Sequence, residues 1–446
     1  MPTPLRAAFT LCAMFLAAGC AREDNAAPGA AAPAGRLAPA AWTPDSNPDA
    51  IAEWARAGCG GVLTRKRECY ERALLSLLEP AGVATTMAVL DRLVQRDAGL
   101  ARQGHALAHG IGIAAYRDPG TVGKTFAACG PTQMSGCYHG VIQGYFLDVQ
   151  ARTGSVGAAA LNAVCEEQRR TRFLFFQCSH GLGHGLMALH GNDLPRALEA
   201  CDRVEDGFMR ESCYGGAFME NIVHATNPHH TAAAHAALDP RRSAGGDSAG
   251  HAHPADGGHD HHAAADTPRA PFKALDRGDP LYPCTAVADK YHLGCYYMQT
   301  SAILHMFGND VAFTARACDK APPRMVRVCY MSLGRDITAL AQLDHGRALE
   351  LCARGGPRGE AWCLEGVAEN LVNVAADARE GLRFCARVAR AGAKPPCYLS
   401  VGDMLGDIEP DSARREEVCA GAEAAFVETC RRGARLPAPP AAGAER

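Results

Sequence analysis

No stretch of 18 or more consecutive apolar residues occurs in the 446-residue chain, so no segment reads as a membrane-spanning helix. A dominant charge is missing as well. With 45 basic and 48 acidic residues interspersed, the formal net charge is only -3, which argues against nucleic acid as a partner. There is no nucleophile motif, phosphate-binding loop or nucleotide fingerprint, so any chemistry must rest on other groups. The C-x2-C spacing of thiolate zinc sites is absent too, although the chain holds 20 cysteines.

What is present begins with an address. Residues 1–19 carry Arg6, a mostly apolar run from Ala7 to Ala18 and then Gly19, the pattern of an export signal. The segment Leu16-Ala17-Ala18-Gly19-Cys20 resembles a bacterial lipobox, which implies that Cys20 becomes the lipidated first residue. Ala17 departs from the usual leucine, and ordinary cleavage near residue 19 is the alternative. The resemblance implies a protein of the bacterial cell envelope, on the periplasmic side, with the membrane as partner. Residues 20–48, rich in Ala and Pro, then read as a flexible tether.

Without Cys12 and Cys20, the remaining cysteines fall into neighbouring pairs separated by 8 to 13 residues. These are Cys59 with Cys69, Cys129 with Cys137, Cys165 with Cys178, Cys201 with Cys213, Cys284 with Cys295, Cys318 with Cys329, Cys352 with Cys363, Cys385 with Cys397, and Cys419 with Cys430. Sequence does not dictate connectivity. The near-constant separation and the oxidising compartment that export implies favour neighbour pairing.

The pairs recur with a period. From Cys295 the second cysteines follow at intervals of 34, 34, 34 and 33 residues, a spacing typical of helical hairpins. Asp193, Asp310, Asp344, Asp377 and Asp411 each precede a first cysteine by eight residues and read as N-caps of a first helix. A second helix is expected to begin near the second cysteine. It keeps a small residue three places on, at Gly140, Gly181, Gly216, Ser332, Gly366 and Ser400, assigned to close approach of the two helices of one hairpin.

The chain resembles the Sel1-like and tetratricopeptide superfamily, particularly its secreted cysteine-rich branch, although that family's short cysteine spacing and its glycine and tyrosine pattern are not reproduced. The resemblance implies an all-α, right-handed solenoid of about nine to ten αα-hairpin repeats, most of them stapled by one disulfide. The expected organisation is N-terminal repeats over 49–223, a disordered His-rich insertion over 226–271, C-terminal repeats over 280–435 and a disordered tail over 436–446.

His-Gly recurs near the start of three successive second helices, at His109, His139 and His180, and His105 and His184 stand four residues from two of them. Residues at i and i+4 share a helical face, so His105, His109, His139, His180 and His184 form a candidate metal set. Neutral imidazoles suit zinc, copper, nickel or iron. A single site using all five requires strong curvature; two sites, or His139 with either pair, need less. Glu220 and Asp148 are expected to be solvated or structural, and His345 exposed. The insertion adds a weak metal-binding tract.

Two functions follow. One is an exported protein that binds a transition metal, for handling or for metal-dependent chemistry. The other is a non-catalytic scaffold holding a protein, peptide or cell-wall ligand on its concave face. Tyr138, Tyr145, Tyr214, Tyr296, Tyr297, Tyr330 and Tyr398 would be its contacts unless they belong to the hairpin core.

Overall fold

The capping aspartates do what their spacing predicts. Asp193, Asp310, Asp344, Asp377 and Asp411 are all extended N-caps whose carboxylates accept a backbone N–H of the following turn, a contact typically worth about 1 kcal/mol. The computed structural model describes residues 41–60, 66–101, 103–227, 235 and 272–437. Their regular structure is entirely helical, and all of them belong to one compact unit. The expected signal over 1–19, most of the tether, nearly all of the insertion over 226–271 and most of the tail lie outside the described residues. No helix among the described residues is long and apolar enough to cross a membrane.

All nine neighbour pairs are disulfides, with Cα–Cα distances of 5.4 to 5.8 Å. Most join a short first helix to a longer second one, although Cys59–Cys69 joins two helices of 12 residues and Cys284 sits in a turn, so the helical-hairpin array holds. The second helices begin earlier than expected in places, since Cys178 and Cys213 lie well inside Arg172–Leu189 and Gly207–Thr226. The tyrosine after a second cysteine belongs to the hairpin core. Tyr138, Tyr214, Tyr296, Tyr330 and Tyr398 are buried. The hydroxyls of Tyr214 and Tyr330 donate to Asp202 and Asp319, the residues just after the first cysteines, at 2.6 and 3.0 Å.

The small residues three places past the second cysteines serve a different contact from the one expected. A Cβ on Gly140 would lie 2.2 Å from the carbonyl oxygen of His109, one on Gly216 1.9 Å from that of His180, and one on Gly366 2.0 Å from that of Met331. These partners sit on the second helix of the preceding repeat, not on the first helix of the same hairpin. Successive second helices therefore touch backbone to backbone, closer than the 8–10 Å spacing that larger side chains impose.

The row of second helices continues across the insertion. Gly294 in His292–Met306 sits where a Cβ would come within 2.8 Å of the Gly215 backbone nitrogen, so that helix stacks directly on Gly207–Thr226. The row then curves back on itself. Gln177 Nε2 donates to Asn373 Oδ1 at 3.2 Å, and Arg172 approaches Asp407 at 3.5 Å, joining Arg172–Leu189 to Glu360–Ala375 and Lys394–Ile408.

Gly140→Ala is expected to destabilise the oxidised protein by about 1–3 kcal/mol through overpacking, read as a lower urea midpoint. Gly157→Ala, at φ -77° with open space around the new Cβ, should leave the midpoint unchanged. Equal midpoints for the two variants would contradict the backbone-contact account.

Candidate metal centre

The hairpin register determines what points inward. His139 and His180 stand two residues after their stapling cysteines, and Gln143 and His184 stand six after, one helical turn further on. Glycine-mediated packing places Gly104–Ala115 and Arg172–Leu189 on either side of Gly136–Thr153. The ring of His109 consequently lies 4.8 Å from that of His184, although their repeats are not adjacent. One ligand nitrogen from each of His105, His109, His139 and His184 falls in a group whose members all lie within 4.8 Å of one another. Metal–imidazole bonds of about 2.0–2.1 Å place the nitrogens of a tetrahedral site about 3.3–3.4 Å apart, so closure onto one ion draws the widest pair together by about 1.4 Å.

The tautomers follow from the outer contacts. His105 Nδ1 lies 2.9 Å from the carbonyl oxygen of Gln133, which can only accept, so that nitrogen carries the proton. His184 Nδ1 is 2.6 Å from Glu220 Oε2, and both residues are buried. Gln143 donates through Nε2 to the His184 carbonyl at 3.5 Å, which turns its Oε1 toward His109 Nδ1 at 3.1 Å. Likewise Gln177 points Oε1 at His139 Nε2 at 3.4 Å while its amide nitrogen goes to Asn373. Every histidine thus places one N–H on an outer oxygen and turns the other nitrogen, as a lone pair, to the cluster. A histidine that binds metal through one ring nitrogen characteristically donates the N–H of the other to an oxygen in this way.

His139 Nδ1 and His184 Nε2 are buried with no hydrogen-bond partner among the described residues. His105 Nε2 and His109 Nε2 stand 3.1 Å apart, and with their protons on Nδ1 a shared cation satisfies both lone pairs. Burial, aided by the neighbouring His184, His180 and His105, holds His139 well below its ordinary value of 6.5. Neutral imidazole is the form that ligates metal.

His180 lies beside this group rather than in it. Its ring is 4.9 Å from that of His139, and its Nε2 is 3.3 Å from the Met219 sulfur. Burial also holds it well below 6.5. Glu220, expected to be solvated or structural, is the buried outer partner of His184. Asp148 accepts from Tyr116 at 2.6 Å and from Arg152. His345 is not exposed: it is half-buried and contacts Glu380 at 2.8 Å.

The backbone at 133–135 is strained in favour of the site. Gln133, Met134 and Ser135 have φ of 53, 52 and 63° in succession, a left-handed run that costs of order 1 kcal/mol per non-glycine residue. This run aims the Gln133 carbonyl at His105. Gln133 Nε2, in turn, is held by Asp91 Oδ1 at 2.7 Å.

One histidine of the insertion is also built into the fold. His235 is buried against Glu71, which accepts from its Nδ1. Both side chains occupy the space a Cβ on Gly110 would need, at 2.8 and 2.9 Å. The glycine after His109 therefore admits His235 and Glu71 beside the helix that carries two cluster histidines.

A cavity of about 580 Å³ opens on the His139 and His180 side and is bounded by both blocks of repeats, with Phe176 and Met219 from one and Tyr297 and Glu369 from the other. A second, of about 380 Å³, reaches His105 and shares Met134, Met219, Met298 and Arg335 with the first. In comparison with known proteins, no family model matches the chain, and no curated protein or solved structure matches it.

Sequence reasoning missed Gln143, Gln177, Gln133 and Glu71, and it read His235 only as part of the insertion's weak metal-binding tract. Only Gln143 had a readable signal, since it shares the position six past the stapling cysteine with His184. Glu220→Gln is expected to weaken metal binding roughly 10–100-fold while leaving stoichiometry intact, as measured by competition against a chromophoric chelator. Unchanged affinity would remove Glu220 from the centre.

Proposed function

We propose that this is an exported, lipid-anchored protein of the bacterial cell envelope that binds one transition-metal ion through His105, His109, His139 and His184. The observation that carries the reading is the set of four converging ring nitrogens whose opposite nitrogens are each held by an oxygen. Imidazole ligation suits zinc, copper, nickel or iron. Nine disulfides support an oxidising compartment. The lipobox-like stretch ending at Cys20 supports a membrane anchor on the periplasmic side, with residues 20–48 as tether. Cysteine-stapled helical hairpins support kinship with the secreted branch of the Sel1-like and tetratricopeptide superfamily. The histidines of 226–271 support a weak supply of metal beside the buried centre, with His235 tying that segment near His109.

The alternative is a scaffold for a protein, peptide or cell-wall ligand on the concave face. The inner face encloses a bounded cavity between the two blocks, and this favours a small ligand over a macromolecular one.

Elemental analysis of protein purified from its native compartment is expected to give about one transition-metal ion per chain. The content should be retained on deletion of residues 236–271 and lost in a His109→Ala, His184→Ala double variant that keeps its helicity. A native protein that is metal-free and cannot be reconstituted would refute the reading.

A further inference from the structure

The four metal-site histidines leave most of the 580 Å³ cavity unused, and its walls have a consistent chemistry. Rings dominate one side. Phe176 lies 5.5 Å from the His180 ring and 6.3 Å from Phe208, and Phe173 and Tyr297 line the same space. Met134, Met219, Met298 and Met404 line the cavity as well, and thioethers pack favourably at the edges of aromatic rings. A flat ring is the shape such walls bind best.

The charges around the cavity are already matched. Arg435 pairs with Asp403 at 2.8 Å, and Arg172 with Asp407 at 3.5 Å while its guanidinium lies 4.1 Å above Phe208. Arg335 is committed to Asp336 at 2.8 Å and to the Tyr297 carbonyl at 2.7 Å. A net charge brought in by a ligand would be desolvated without a partner.

Glu369 is the remaining carboxyl on the wall. Burial pushes its carboxyl up to about 7. Ser400 donates to it at 2.6 Å and Tyr297 at 3.5 Å. A carboxyl poised in this way can accept from a ligand hydroxyl when ionised or donate to it when neutral.

We propose that the cavity between the two repeat blocks binds a small, uncharged aromatic molecule bearing a hydroxyl group, a phenol, with its ring against Phe176 and its hydroxyl toward Glu369. The ligand goes beyond the metal assignment and does not depend on it, because none of the groups that recognise it has to be a metal ligand. His139 lines the cavity and belongs to the cluster, so the phenol binds next to the metal centre.

The test is calorimetric titration of the full chain, metal-free and zinc-loaded, with 4-methylphenol, 4-methylcyclohexanol, benzoate and benzylammonium. The phenol should bind once per chain in both forms, and the alicyclic alcohol about tenfold more weakly for want of ring contacts. Benzoate and benzylammonium should not bind measurably. Phe176→Ala should weaken the phenol about tenfold, and Tyr297→Phe, a milder change near Glu369, supplies an independent comparison if the alanine variant loses its circular dichroism. His109→Ala should lose metal yet keep the phenol, which separates this inference from the metal reading. No binding of 4-methylphenol to the native protein would overturn the proposal, as would equal binding of a charged probe or of the alicyclic alcohol.

Discussion

Backbone contact between successive second helices is the constraint on which the rest depends. Gly140 against the His109 carbonyl and Gly181 against Ile142 and the His139 Cα bring the three histidine-bearing helices closer than side-chain packing allows. Histidines on three consecutive helices can then reach a common point. The disulfides secure each hairpin, but it is glycine, not cystine, that brings His109 and His184 together across the intervening repeat. This also explains the recurrence of His-Gly: the histidine serves the centre, and the glycine serves a neighbour. At Gly110 that neighbour is the His235–Glu71 pair; at Gly140 and Gly181 it is the preceding second helix.

The same register explains the division of the chain. Position six past a second cysteine faces inward along the row, and position two does so at His139, His180 and Tyr297 but not at the exposed Leu399. In the N-terminal block they hold His139, Gln143, His180 and His184. In the C-terminal block they hold Tyr297, Ser301, Arg335, Glu369 and Asp403. One half supplies the clustered imidazoles and their oxygen partners; the other supplies the far wall of the cavity, held across by the Gln177–Asn373 contact. Burial then does the electrostatic work, keeping His139 and His180 neutral and lifting the Glu369 carboxyl toward neutrality.

Much of this was legible in the chain because it is local and periodic. The aspartate caps, the nine cysteine pairs and the hairpin period all lie within one repeat, and the structure bears them out. The histidine set was legible as a stripe, but its geometry was not. A spacing of 8–10 Å per helix made convergence across three repeats look difficult, since the role of the glycines was assigned to the wrong pair of helices. What lay furthest from view were contacts between distant parts of the sequence. Glu220 serves His184 from the next repeat, the Gln133 carbonyl is aimed by a left-handed run with no sequence signature, and His235 reaches Glu71 from the insertion.

The central claim is that four imidazoles from three helices share one ion. Extended X-ray absorption fine structure at the edge of the bound metal tests it most directly, because imidazole rings give a distinct multiple-scattering pattern. The account predicts a first shell of nitrogen at about 2.0–2.1 Å with close to four imidazoles and no sulfur. A shell dominated by sulfur, or by oxygen with one or two imidazoles, would contradict it.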